Sequence, residues 1–323
     1  MEMRPLGRSG LSTAPLVLGG NVFGWTADEK ASFAVLDAFV GAGFNAIDTA
    51  DVYSRWSPAG GGASEKVIGA WLKASGKRDK VLIATKFGME MGEGKKGLSA
   101  RWMMQAVEDS LSRLGTDRID LYQSHADDKE TPQEETAEAF ARLVKAGKVR
   151  AVGASNFEVD RLKSANEIAE RHGWPRYETL QPLYNLYDRA PFEAAQAWVC
   201  KAEGIGVIPY YALASGFLTG KYRSEADLAK SPRGRGVKRY LTPRGLSIVG
   251  ALDEVSARLA ATPAQVALAW LMAKITAPIA SATGVAQLTE LMGAVDLKLD
   301  AEAMAALEAA SAPEPALHES VVA

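Results

Sequence analysis

At 323 residues, 47% apolar and 24% charged, the chain has room for one large α/β domain or two smaller ones. Its net charge of −2, with basic residues scattered, leaves no electrostatic footprint for nucleic acid or an anionic membrane and points to a small-molecule partner. No linker rich in Pro, Gly or Ser divides it, so a single domain over 1–323 is expected. Cys200 is the only cysteine, which excludes an internal disulfide and suits a reducing compartment. Set in the apolar helical pattern Ala197-Trp198-Val199-Cys200, it reads as packing rather than as a nucleophile. Met1-Glu2-Met3-Arg4-Pro5 lacks the apolar core of a signal peptide, and no apolar run approaches the roughly 20 residues of a membrane span. The cytoplasm is the expected location.

Met3 to Leu18 holds two short apolar runs around Gly7-Arg8-Ser9-Gly10 and reads as a hairpin closing one end of the fold. Leu16-Val17-Leu18 then runs into Gly19-Gly20, where missing side chains let a flat ligand approach the backbone, or simply allow a turn. Helical spacing in Phe33, Leu36 and Val40 stops at Gly41 and Gly43. The apolar run Phe44 to Ile47 reads as a buried strand, and polar atoms appear where it ends, in Asp48-Thr49-Ala50-Asp51-Val52-Tyr53. A phenol beside a carboxylate gains chemical interest if a cation is also near, because a cation favours the phenolate and lowers a tyrosine pKa from its usual value of about 10.

Two later strand ends supply polar partners. After a loop with Arg55, Trp56 and Gly60-Gly61-Gly62 and a helix from Glu65 to Lys73, the strand Val81 to Thr85 delivers Lys86. After a helix from Ser99 to Leu114, with Met103, Val107, Leu111 and Leu114 on one face, the strand Ile119 to Ser124 delivers His125. Asp48 to Lys86 is 38 positions and Lys86 to His125 is 39, so one polar residue recurs at the end of three successive strand-plus-helix units. A parallel (β/α)₈ TIM barrel explains this, since its C-terminal strand ends converge on one mouth and catalytic residues there come from several strands. Gly92-Glu93-Gly94-Lys95-Lys96-Gly97 formally matches G-x-G-x-x-G, but Phe87 to Met91 separate it from its strand, whereas a dinucleotide fingerprint leaves its strand directly.

The remaining units follow the same rhythm. Thr131-Pro132-Gln133-Glu134 has the form of a capping box with Pro at the first helical position, opening a helix that Gly147 ends. Strand five, Val149 to Ala154, delivers Ser155 and Asn156. Strand six, around Thr179 to Leu183, places Gln181, and strand seven, Gly206 to Ile208, runs into Pro209 and Tyr210. Ala212 to Tyr240 is long for a βα loop and holds Lys221, Arg223, Arg233, Arg235, Lys238 and Arg239; it reads either as a flap over an anion or as a solvated excursion. Thr262-Pro263-Ala264-Gln265 opens another capped helix. Pro278-Ile279-Ala280 is the last strand, followed by helices from Val285 to Leu297 and over 301–312. His172 falls at a helix end and His318 in the tail, so the three histidines make no plausible metal cluster and none is required.

Over roughly residues 3 to 300 the chain resembles an aldo-keto reductase of the branch near the potassium-channel β subunits. The resemblance is carried by Asp48-Thr49-Ala50-Asp51-Val52-Tyr53, Lys86, His125, Gly153-Ala154-Ser155-Asn156, Gln181, Tyr210 and Gly216-Phe217-Leu218-Thr219-Gly220-Lys221. It implies reversible hydride transfer between a nicotinamide, with NADP(H) favoured and NAD(H) the alternative, and the carbonyl carbon of an aldehyde or ketone. Tyr53 matches the proton donor, Asp48 and Lys86 the pair that tunes it, and His125 the residue that orients the carbonyl. Alone, each has an ordinary alternative: a turn residue, a packing aromatic, a solvated strand end and a core histidine. Hydride arriving at a carbonyl leaves an alkoxide that needs a proton and hydrogen-bond donors, which these side chains supply.

The same resemblance puts Ser155, Asn156 and Gln181 on the nicotinamide carboxamide, Tyr210 against its ring, and Gly19 and Gly20 beside it, with Asp48, Leu213, Lys221, Gln287 and Glu290 completing the cofactor site. Ser281-Ala282-Thr283 matches the phosphate-binding turn at a helix entry, where free N–H groups favour an anion. Trp25, Trp56 and Phe87 lie on loops expected near the mouth and suggest an aromatic-lined substrate pocket. The chain departs from the family pattern at Gly284, where relatives often carry Arg or Lys, and at Leu291 in place of a common Asn. The cation for the 2′-phosphate of NADPH is therefore missing from this turn, unless the long basic loop substitutes. Two rivals remain: Lys86 as a Schiff-base lysine of an aldolase, and a cofactor-sensing partner of the channel β-subunit type. Oligomeric state stays open.

Overall fold

The computed structural model describes residues 1–231 and 233–313; His318 lies outside them. Strands β1 (Arg4–Pro5) and β2 (Ser12–Thr13) pair antiparallel as the expected hairpin. Eight further strands run parallel: β3 (Val17–Gly19), β4 (Ala46–Asp48), β5 (Leu82–Phe87), β6 (Ile119–Ser124), β7 (Val149–Ser155), β8 (Tyr177–Gln181), β9 (Gly206–Val207) and β10 (Ile279–Ala280), in the order β10-β3-β4-β5-β6-β7-β8-β9. The sheet closes where Ala277 N donates to Val207 O at 3.2 Å and Ile279 N to Pro209 O at 3.0 Å. This is a (β/α)₈ barrel, and its lower interior is filled by inward side chains from successive strands, among them Val17, Ala46, Leu82, Leu121 and Ala151. Leu6 and Leu11 of the hairpin join that layer and plug the bottom.

The outer helices are α1 (Glu29–Gly41), α2 (Ala63–Ser75), α3 (Ala100–Leu114), α4 (Gln133–Lys145), α5 (Val159–His172), α6 (Ala197–Glu203), α8 (Pro243–Leu259), α9 (Pro263–Met272), α10 (Val285–Met292) and α11 (Ala301–Ala310), while a short α7 (Gly234–Val237) belongs to the long segment after β9. In α3 the stripe Met103, Val107, Leu111 and Leu114 is buried against the barrel, as its spacing requires. The capping box of α9 forms, with Thr262 accepting from Gln265 N at 3.2 Å and Gln265 reaching back to Thr262 N at 3.0 Å. No helix among the described residues is long and apolar enough to cross a membrane.

Several expected boundaries move. The Thr131 capping box does not form: Pro132 itself occupies the cap position, and Thr131 Oγ1 donates instead to Asp128 Oδ2 at 2.6 Å. Strand six lies two residues earlier than its apolar pattern suggested, and the helix after β10 gives way at Met292 to a 3₁₀ turn, Gly293–Val295. Gly92 to Gly97 sits in irregular chain before Ala100 and takes no part in the barrel mouth. The 212–240 stretch is built of short 3₁₀ and helical turns pinned by the buried Phe217, Tyr222 and Tyr240, so its apolar residues, not its cations, dictate its path.

Helices α2 and α3 touch at Gly69, where an added Cβ would overlap the Arg113 carbonyl oxygen. In an exposed helix, alanine gains up to about 1 kcal/mol over glycine; here the overlap outweighs that gain by about 1–3 kcal/mol. Gly69→Ala should lower the denaturation midpoint, and an unchanged or raised midpoint would show that the helices can part at no cost.

Candidate active site

Because β4 and β5 are neighbours in register, their C-terminal ends bring Asp48 and Lys86 together. Lys86 is fully buried and its ammonium is saturated: Nζ donates to Asp48 Oδ2 at 2.7 Å, to the Thr49 carbonyl at 2.8 Å and to Tyr53 Oη at 2.8 Å. Tyr53 Oη lies 3.4 Å from the same carboxylate oxygen. Asp48 Oδ1 accepts from Gln181 Nε2 at 2.9 Å, so strands on opposite sides of the barrel are tied through one carboxylate. Removing either partner of such a buried ion pair strands a charge, at about 3–5 kcal/mol. A lysine with all three N–H groups engaged by oxygen acceptors, in a pair of this kind, is not the neutral amine that a Schiff base needs.

The electrostatics depart from expectation in one respect. Burial, and then the Asp48 carboxylate, hold the Tyr53 phenol well above its usual pKa of 10, where a cation alone would have lowered it. Burial also lowers the Lys86 pKa, opposed by Asp48. His125 follows β6, its backbone N donating to the Phe87 carbonyl at 2.8 Å, and its ring stands edge-on to Tyr53 at 5.9 Å between centroids. Burial and Lys86 hold its pKa well below 6.5, so at pH 7 it is a neutral imidazole, able to donate one hydrogen bond without bringing charge.

Around this centre opens a cavity of about 1110 Å³ lined by Gly19, Asp48, Tyr53, His125, Ser155, Asn156 and Gln181, and by Trp25's neighbour Thr26 and Trp56 at its rim. Small-molecule sites run to roughly 300–1,000 Å³, so a dinucleotide and a substrate fit together. Asn156 has a left-handed backbone, φ 53°, and its amide donates to His125 O at 2.9 Å and Ser155 Oγ at 3.1 Å while accepting from Tyr210 Oη at 2.8 Å. Ser155 Oγ in turn donates to the Gln181 carbonyl at 2.9 Å. Gly19 faces Ser281, whose Oγ an added Cβ would overlap. Leu213, Lys221, Ser281, Thr283 and Gln287 also line the cavity.

Four expected site residues lie elsewhere. Trp25 does not line the cavity and packs instead edge-on against Trp56 at 5.6 Å, with the Arg233 guanidinium over its ring. Phe87 is wholly buried, stacked on Tyr122 at 4.9 Å, and belongs to the core, because its side chain alternates outward from the barrel where Lys86 points in. Gly20 makes room not for a ligand but for the Asp48 carbonyl and Ser64 Oγ, each 3.0 Å from where its Cβ would be. Glu290 does not reach the cavity; its carbonyl accepts from Gln265 Nε2 at 2.9 Å, on the helix side. Residues the sequence reading passed over are Asn21, Tyr211 and Met89, which line the cavity, and Asp51. Asn21 Oδ1 accepts from Ser281 Oγ at 2.7 Å and Arg233 Nη2 at 3.3 Å; its place directly after Gly19-Gly20 at a strand end was the available signal.

Asp51 is buried with neither carboxylate oxygen partnered among the described residues, and burial, reinforced by Glu65, raises its pKa to about 8. Its unfolded value is about 3.9. A carboxyl whose folded pKa is raised favours folding below the unfolded value and progressively disfavours it as pH climbs toward the folded one. Asp51→Asn should therefore raise the melting temperature, by more at pH 8 than at pH 5. An equal shift at both would mean that Asp51 is ionised in the fold.

Residues 15–312 match the family model described as Aldo/keto reductase family. The chain is 35% identical over 313 residues to the Bacillus subtilis protein named "Uncharacterized oxidoreductase YrpG", covering 94% of this chain and 93% of the relative. It is 35% identical to "Aldo-keto reductase YhdN" of the same organism, over 84% and 80% of the two chains, and 31% identical to "Protein tas" of Escherichia coli, over 96% and 97%. The chain belongs to the aldo/keto reductase family, a family of NAD(P)H-dependent carbonyl oxidoreductases.

Proposed function

We propose that the chain reversibly reduces an aldehyde or ketone to an alcohol, with Tyr53 as the proton donor. The observation that carries this is the Lys86 ammonium held between Asp48 Oδ2 and Tyr53 Oη, at 2.7 and 2.8 Å. A nicotinamide cofactor, when bound, supplies the hydride. An alkoxide is far more basic than a phenolate, so a phenol of raised pKa still protonates it, and stays protonated until it does. Lys86, already in hydrogen-bond contact, takes up the phenolate charge as it forms, and needs no reorganisation to do so. The neutral His125 donates to the carbonyl oxygen without competing as an acid. In the reverse direction the same pair draws the proton from the alcohol.

The cavity's far end supports a preference for NADPH over NADH. The turn 281–284 lacks its customary cation, but Arg233 reaches the same place from the long segment, within 3.3 Å of Asn21 Oδ1, which also holds Ser281. Lys221 lines the same cavity. Arg233 packs its guanidinium over the Trp25 ring at 5.8 Å and has no carboxylate partner among the described residues, leaving its charge available to an anion.

Tyr53→Phe should retain nicotinamide binding and lose about 10²- to 10⁴-fold in carbonyl reduction, the usual worth of a general acid; a fully active variant would remove Tyr53 from the role. Arg233→Met should weaken NADPH about tenfold, the loss of one charge-assisted contact, and NADH much less, in a fluorescence titration. Equal losses, or wild-type affinity for NADH matching NADPH, would overturn the preference.

A further inference from the structure

The cavity is positive although the chain as a whole carries −2. Its lining includes Arg55, Lys221 and Arg233, while its carboxylate, Asp48, is already matched by Lys86, and His125 is neutral at pH 7. Lys221 and Arg233 come from the segment after β9, and Arg233 sits by the β10 turn, where the cofactor's phosphates are proposed to lie. Arg55 does not belong to that group. It stands on the loop after β4, with β3 and the Trp25 loop between it and β10, and among the described residues its guanidinium meets the Glu90 backbone carbonyl and no carboxylate.

Beside it lie flat apolar walls. Trp56 is half exposed and stands edge-on to Trp25 at 5.6 Å and 6.3 Å from the Tyr53 ring; Met89 is exposed on the next loop. Arg55, Trp56 and the Tyr53 phenol therefore line one cavity together, with Trp25 packed edge-on against Trp56. We infer that the substrates are aryl carbonyl compounds bearing a carboxylate, with Arg55 taking the carboxylate and Trp56 the ring. This rests on the carbonyl-reductase reading above and adds the substrate's class. A guanidinium fork matches a carboxylate in two parallel hydrogen bonds. Because Arg55 is exposed, its pull is screened by salt and acts on ground-state binding.

The test compares 4-formylbenzoate with its methyl ester, which has the same ring and aldehyde but no charge, using the full chain and NADPH. The inference expects a KM about tenfold lower for the acid than for the ester, an advantage that shrinks as salt rises. Arg55→Gln should abolish that ratio by raising KM for the acid, with kcat for the acid little changed. Equal KM values in the wild type, or a variant that affects both compounds alike, would overturn the assignment while leaving the carbonyl-reductase reading intact. Failure to reduce either compound, or any other aldehyde, with either nicotinamide would remove the reading itself and the inference with it.

Discussion

A lysine ammonium taken entirely out of water is the constraint around which this barrel is arranged. Lys86 has no exposed surface, and such a charge survives only with its own carboxylate and with every N–H satisfied. Asp48, the Thr49 carbonyl and the Tyr53 phenol meet that demand. The last residue of β4 and two residues of the loop after it thus meet a side chain on the next strand, and Gln181 extends the network across the barrel to β8. The interaction that makes burial tolerable also puts a phenol beside a fixed positive charge at the cavity floor.

From that floor the cavity is graded in chemistry. Polar, hydrogen-bonded side chains of β7 and β8 lie next to Asp48, Tyr53, Lys86 and His125; Arg233, from the segment after β9, lies by the turn after β10; aromatic side chains and Arg55 stand on the loops after β3 and β4. Strands that neighbour one another in the sheet therefore deliver one kind of chemistry to each sector of the mouth. The family assignment explains the centre of this arrangement and leaves the rim to the individual chain, since a barrel's strands hold the reaction while its loops choose the substrate.

Much of the centre was legible in the sequence because strand ends announce themselves. Asp48, Lys86 and His125 each follow an apolar run, and their near-equal spacing encodes adjacency in a closed sheet. Phe87 was misplaced by one step of the strand's alternation: it follows Lys86, which points inward, so it must point out into the helical layer. Gly20 was misread because a missing side chain does not say what occupies the space, which here is Ser64 and the Asp48 backbone. The Thr131 cap failed because Asp128, three residues back, competes for the hydroxyl. The place of Arg233 beside Asn21 could not be reached from the order of residues, since the path of its segment is decided by where Phe217, Tyr222 and Tyr240 bury themselves.

The account's central claim is that a nicotinamide hydride and the Tyr53 proton meet on one carbonyl group. Tracing the transferred hydrogen tests it most directly: reduce an aldehyde with NADPH deuterated stereospecifically at C4 of the nicotinamide, and locate the label by NMR. The account predicts one deuterium on the new carbinol carbon, donated from a single face of the ring, with the hydroxyl proton coming from solvent exchange. Label retained on the oxidised cofactor from both faces at random, or lost to water without reaching the product carbon, would contradict it.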